Sequence, residues 1–85
     1  MARIIDGEKT NIVGANVRAL RKRCKMSQQA LSNKLELLGV YVCRGSVSRI
    51  EDGSRTVTDI ELLAISRVLH VSINELFSDS DKYFE

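Results

Sequence analysis

The chain has 85 residues, 44% apolar and 28% charged, with a net charge of +2, which suits one small globular domain rather than a disordered chain. No apolar run reaches membrane-span length and no secretory leader opens the chain, so a cytoplasmic protein with no membrane partner is expected. Cys24 and Cys43 form neither a CxxC pair nor a Cys/His cluster, so no metal is expected and both should be reduced thiols.

The small net charge conceals an asymmetry. Residues 1–50 carry ten Lys/Arg against three Asp/Glu, a net +7, whereas residues 51–85 carry three against eight, a net −5. Two solubilising ends would give this pattern, and so would one surface suited to a polyanion with the other turned away. The second reading is favoured because the basic half also holds the motif at residues 26–55.

Met1–Thr10 has weak periodicity and an Asp6-Gly7 turn signal, and reads as a mobile arm. Arg3 and Lys9 can lie on a polyanion, although a frayed terminus is the plainer reading. A first helix is expected from about Ile12 to Lys25, capped by Asn11, with Val13, Val17, Leu20 and Cys24 as its inner stripe. Arg18, Arg21, Lys22, Arg23 and Lys25 crowd its C-terminal half, where cations suit the helix dipole. Arg21 stands apart from these, beside Leu20 and Cys24 at the edge of the stripe.

Met26–Arg55 reads as two short helices with a sharp connection. Ser27 is a good N-cap, Leu31, Leu35 and Leu38 recur at helical spacing, and Gly39 is a natural stop. The next helix, about Arg44 to Asp52, turns Val47 and Ile50 inward and ends at Gly53. Its outward positions are Arg44, Gly45, Ser46, Ser48 and Arg49. That face is narrow, cationic and rich in hydrogen-bonding groups, and it fits a DNA major groove better than a protein core.

Thr58-Asp59-Ile60-Glu61 is a capping box that opens a helix reaching about Leu69. Ile60, Leu62, Leu63, Ala64, Ile65, Val68 and Leu69 predict a wide buried face, the central strut of the core. His70 lies just past this helix, where a protonatable group suits the dipole. Ser72-Ile73-Asn74-Glu75 repeats the capping box before a short helix with Leu76 and Phe77. The acidic tail ends in Tyr83 and Phe84, a pair that can pack back or meet another subunit. The whole reads as an all-α domain of five short helices. Its parts are a flexible arm at 1–10, the DNA-binding domain at 11–77 and an acidic tail at 78–85.

Catalytic chemistry finds little support. A single histidine supplies no nucleophile–base pair, and no GxxxxGK loop is present for nucleotide phosphates. No enzyme and no cofactor are therefore expected. Cys43, at a helix N-terminus, can have a lowered pKa; a redox role is conceivable, and a semi-buried structural thiol is the plainer reading.

MSQQAL, GSVSRIEDGSR and TDIELLAISRVLHVSINELF, in this order and spacing, resemble the Cro and lambda-type repressor helix-turn-helix family, also called the xenobiotic-response-element family. The resemblance covers about Ile12 to Phe77. One departure stands out: ELLGVYVC makes the connection between the two motif helices about five residues longer than the family's usual turn. The first motif helix is expected to gain a turn, with Val40-Tyr41-Val42 as a longer bridge.

The resemblance implies a lambda-repressor-like fold and assigns roles. Gln28 matches a residue that bonds a phosphate and braces the recognition helix. Arg44, Gly45 and Arg49 match positions that reach base edges, although Gly45 has no side chain to read with. Ser48 falls on the base-reading face, and Ser46, Ser54 and Arg55 suit phosphates. Arg21 and Glu51 match a structural ion pair. The implied function is a sequence-specific transcriptional regulator of double-stranded DNA, a repressor of bacterial or phage origin. It would act as a homodimer on a palindromic operator, through Ile73, Leu76, Phe77, Tyr83 and Phe84, with no small-molecule ligand. The alternative is a protein-interaction module on the same scaffold, such as an antitoxin or anti-repressor; Arg44 and Arg49 favour DNA.

Overall fold

The structure, a computed structural model, describes residues 9–84. Among them are five α-helices, α1 (Gly14–Arg23), α2 (Gln28–Leu37), α3 (Arg44–Asp52), α4 (Asp59–Leu69) and α5 (Ile73–Leu76), followed by a 3-10 helix at Ser80–Phe84. No strand occurs among the described residues. Arg3 and most of the expected arm lie outside the described residues.

The helix starts follow local chemistry. Ser27 accepts from the Ala30 N–H, and both capping boxes form with their Glu61 and Glu75 side chains reaching back. Asn11 caps α1 from just outside it, its Oδ1 accepting from the N–H groups of Val13 and Gly14 at 3.1 and 2.8 Å. At its far end α3 stops at Gly53, whose φ of 84° is the left-handed conformation that a side chain would strain. His70 takes the same conformation at the end of α4.

Val13, Val17, Leu31, Leu35, Val42, Val47, Ile50, Ala64, Ile65, Val68, Leu69 and Leu76 form one core. Each wholly buried Leu or Ile among them contributes about 1.5–3 kcal/mol. α3 lies against both α1 and α2, while α4 packs on α1, α2 and α5. The core thus sits behind α3 and leaves one side of that helix uncovered.

Several expectations are corrected. Cys24 is exposed, because α1 ends at Arg23 and Cys24 is its C-cap, no longer on the buried stripe. Leu38 is 54% exposed. α2 stops at Leu37, and the place of a further buried turn is taken by Val42 and the half-buried Val40 of the bridge. Ile60 and Leu63 of α4 are also exposed, since they share a face that no neighbouring helix covers. The buried face of α4 is therefore narrower than its composition suggested. Leu76 closes the core and is no surface residue, while Ile73, Phe77 and Phe84 remain exposed.

Candidate nucleic-acid interface

The uncovered side of α3 carries Arg44, Gly45, Ser48 and Arg49, all exposed, with Ser46 half-buried. Val47 and Ile50 point the other way and are buried. This division follows from a helical period in which only every third or fourth residue is apolar.

Behind this edge lies a carboxylate with three donors. Arg21 Nε donates to Glu51 Oε2 at 2.6 Å and Arg21 Nη2 to Glu51 Oε1 at 3.0 Å. Gln28 Nε2 donates to Glu51 Oε1 at 3.1 Å. The remaining Arg21 Nη1 donates to the Met26 carbonyl at 2.7 Å, so one guanidinium links α1, the turn after it and α3. Both charges are nearly buried, and the hydrogen bond to Glu51 holds the Arg21 guanidinium above its already high pKa. A buried charge tolerates such a site only when paired and hydrogen-bonded, as this one is.

The inner end of α3 is held by the segment before α1. Lys9 Nζ donates to Asp52 O at 2.9 Å, and the Thr10 N–H donates to Gly53 O at 2.8 Å. The Thr10 hydroxyl donates to the same carbonyl at 3.0 Å. Asn11 Nδ2 donates to Ile50 O at 3.0 Å and to Arg55 O at 2.7 Å. Gly14 brings the two backbones into contact: a Cβ there would lie 2.1 Å from Ile50 O. Sequence reasoning saw Asn11 as a local cap and missed its reach across the fold; nothing local signals a partner about forty residues away.

The outer end is differently made. Cys43 is the N-cap of α3 and offers no oxygen to the first turn. Its thiol donates to Ser46 Oγ at 3.4 Å, and Arg49 Nη2 donates to the same oxygen at 3.1 Å. The Ser46 hydroxyl, then the N–H groups of Ser46 and Gly45, with Arg49 nearby, hold the Cys43 thiol below its ordinary pKa.

The remaining assigned residues are placed as follows. Ser54 donates from Oγ to Asp52 Oδ1 at 2.6 Å and from its N–H to the same oxygen at 2.9 Å, which lowers the Asp52 pKa. Arg55 is engaged by Glu61 through a two-pronged pair at 3.0 and 2.9 Å, and that hydrogen bonding holds the Glu61 carboxyl low. The Ser54 hydroxyl is thus committed to Asp52, and both terminal nitrogens of Arg55 bond Glu61. Arg18, to which no specific role was assigned, lines an open cleft with Gln28 and Ser48 at the rim of α3, and with Glu51 and Asp52. No group of three or more His, Cys, Asp or Glu able to hold a metal occurs among the described residues. No described helix is long and apolar enough to cross a membrane.

A short helix laid across a second, with a basic outer edge and a core-facing inner one, defines a helix-turn-helix DNA-binding module. Residues 17–76 match the helix-turn-helix family, and the chain belongs to it, in the Cro and lambda-repressor type. It is a DNA-binding transcriptional regulator. Among solved structures, the chain is similar to the restriction-modification controller protein C.AhdI from Aeromonas hydrophila. The match has a TM-score of 0.67 and 29% identity, and covers 76% of this chain and 87% of that one. No curated protein sequence matches the chain.

Proposed function

We propose that this regulator reads a palindromic operator as a homodimer and represses transcription from it, by binding and not by catalysis. The observation that supports the reading is the exposed edge of α3, with Arg44, Ser48 and Arg49 outward and Glu51 fastened behind. A helix fixed at its back presents its outer side chains to a groove with little freedom to lose. Arg44 and Arg49 can each grip guanine O6 and N7, Ser48 can bond a base, and Gly45 lets the helix approach closely. Gln28 and Arg18 at the rim suit phosphates, which fix register. Ser46 suits a phosphate too; Ser54 and Arg55 would first have to leave Asp52 and Glu61. Ile73, Phe77 and Phe84 offer apolar surface for a two-fold contact. The solved relative is called a restriction-modification controller protein, so promoters beside restriction and modification genes are the first operators to try.

Selection of bound sequences from random duplexes tests the reading, and a two-fold symmetric consensus is expected. On that site Arg49→Ala should cost about 1–3 kcal/mol and relax preference at one base pair per half-site. Equal loss on selected and random duplexes would remove Arg49 from base readout. Sedimentation showing one copy per palindromic duplex would remove the homodimer.

A further inference from the structure

The lengthened connection before α3 carries an aromatic ring to the rim of the interface. Its backbone is anchored twice: the Val40 N–H donates to Leu35 O at 3.0 Å, and the buried Ser32 hydroxyl donates to Val42 O at 2.7 Å. Val42 is buried and Val40 half-buried, while Tyr41 between them is 78% exposed. Two anchors therefore fix the place in the backbone from which this exposed ring projects.

That place is an open groove of about 660 Å³ between α2 and the first turn of α3. Gln29 and Asn33 line it from α2, Arg44 and Ser46 from α3, and Tyr41 from the bridge; Glu36 is its one acid. Gln29 Nε2 donates to Asn33 Oδ1 at 2.9 Å, so the Asn33 amide keeps its own N–H groups for a ligand. The walls present an amide donor, a guanidinium and two hydroxyls, and they continue directly into the base-reading edge at Arg44.

We propose that this groove is a second DNA contact. When α3 lies in the major groove, the sugar–phosphate strand at its margin enters, the Tyr41 ring against a sugar and its hydroxyl on a phosphate oxygen. Asn33 and Ser46 complete the cradle. The strand is the occupant, and not a base edge, because Tyr41 lies on the bridge, off the reading edge of α3. The inference rests on the reading of α3 as the recognition helix.

The test titrates wild type, Tyr41→Phe and Tyr41→Ala against the selected operator and a random duplex, over a range of salt. Because Tyr41 is exposed, both variants should keep the wild-type melt. Tyr41→Ala should weaken both duplexes roughly five- to tenfold, with Tyr41→Phe between, as loss of one hydrogen bond and a ring contact implies. The salt slope should not change, since no charge is lost. A neutral methylphosphonate at the flanking phosphate should weaken wild type more than it weakens Tyr41→Ala, which keeps the other groove contacts but not the ring hydroxyl. Tyr41→Ala binding both duplexes like wild type overturns the proposal. Loss confined to the operator, with a changed base preference, also overturns it, by making the ring a base contact. Wild type binding no duplex at all would sink the recognition-helix reading itself.

Discussion

The two ends of α3 are built on opposite plans. Its inner end is nearly closed over: Glu51 takes three donors, and the carbonyls of Ile50, Asp52 and Gly53 take donors from Lys9, Thr10 and Asn11. Its outer end has a cysteine cap without an oxygen, an arginine and a glycine, all exposed. The contrast separates two tasks. Stability comes from the end that touches the protein, and the end proposed to meet DNA carries few structural duties. Changes at the inner end should therefore unfold, and changes at the outer end should alter binding with little effect on the melt.

The sharpest way to break this contrast is Glu51→Ala, which leaves the Arg21 guanidinium buried without its carboxylate. A denaturant melt should show a loss of about 3–5 kcal/mol. An unchanged midpoint would mean that the inner end is not where α3 is held. Next comes Gly14→Ala, which needs α1 and α3 to part because the new methyl would overlap the Ile50 carbonyl. About 2–3 kcal/mol of destabilisation is expected, and operator affinity should fall further than random-duplex affinity as α3 shifts. Asn11→Ala removes two donors and two accepting contacts, and should cost about 1–2 kcal/mol. Wild-type amide exchange at Ile50 to Arg55 in that variant would contradict a cross-fold role for Asn11.

The smallest effect has the opposite sign. Cys43→Ser gives α3 the oxygen cap it lacks, and should raise stability by about half to one kcal/mol in a thermal melt. A loss instead would show that the thiol supports the first turn better than a hydroxyl does.

Where each helix begins was legible in the sequence, because capping is local: Ser27, Thr58 and Ser72 announce their helices within three residues. The stop at Gly53 was legible for the same reason. Burial was read less well. Periodicity reports which residues share a face but not whether a neighbour covers it, and so the wide buried face that composition predicts for α4 includes Ile60 and Leu63, which the core does not reach. Arg55 shows a different limit. Glu61 had a complete local explanation as a capping residue, yet the same carboxylate also clamps Arg55. A residue with two partners looks finished once the nearer one is found. The ties from Lys9, Thr10 and Asn11 to the end of α3 had no local signal at all.

α1 has one more attachment, at its other side. Asn16 Nδ2 donates to Leu76 O at 2.9 Å and to Ser78 O at 2.8 Å, so the rod that carries α3 also carries the end of α5. In the proposed dimer, α5 would face the twin copy and α3 the groove. The relation between the two reading heads would then pass through α1, one continuous ten-residue helix that bonds both α3 and the end of α5. Such an arrangement works as a ruler: it measures the spacing of half-sites and tolerates an added or missing base pair poorly.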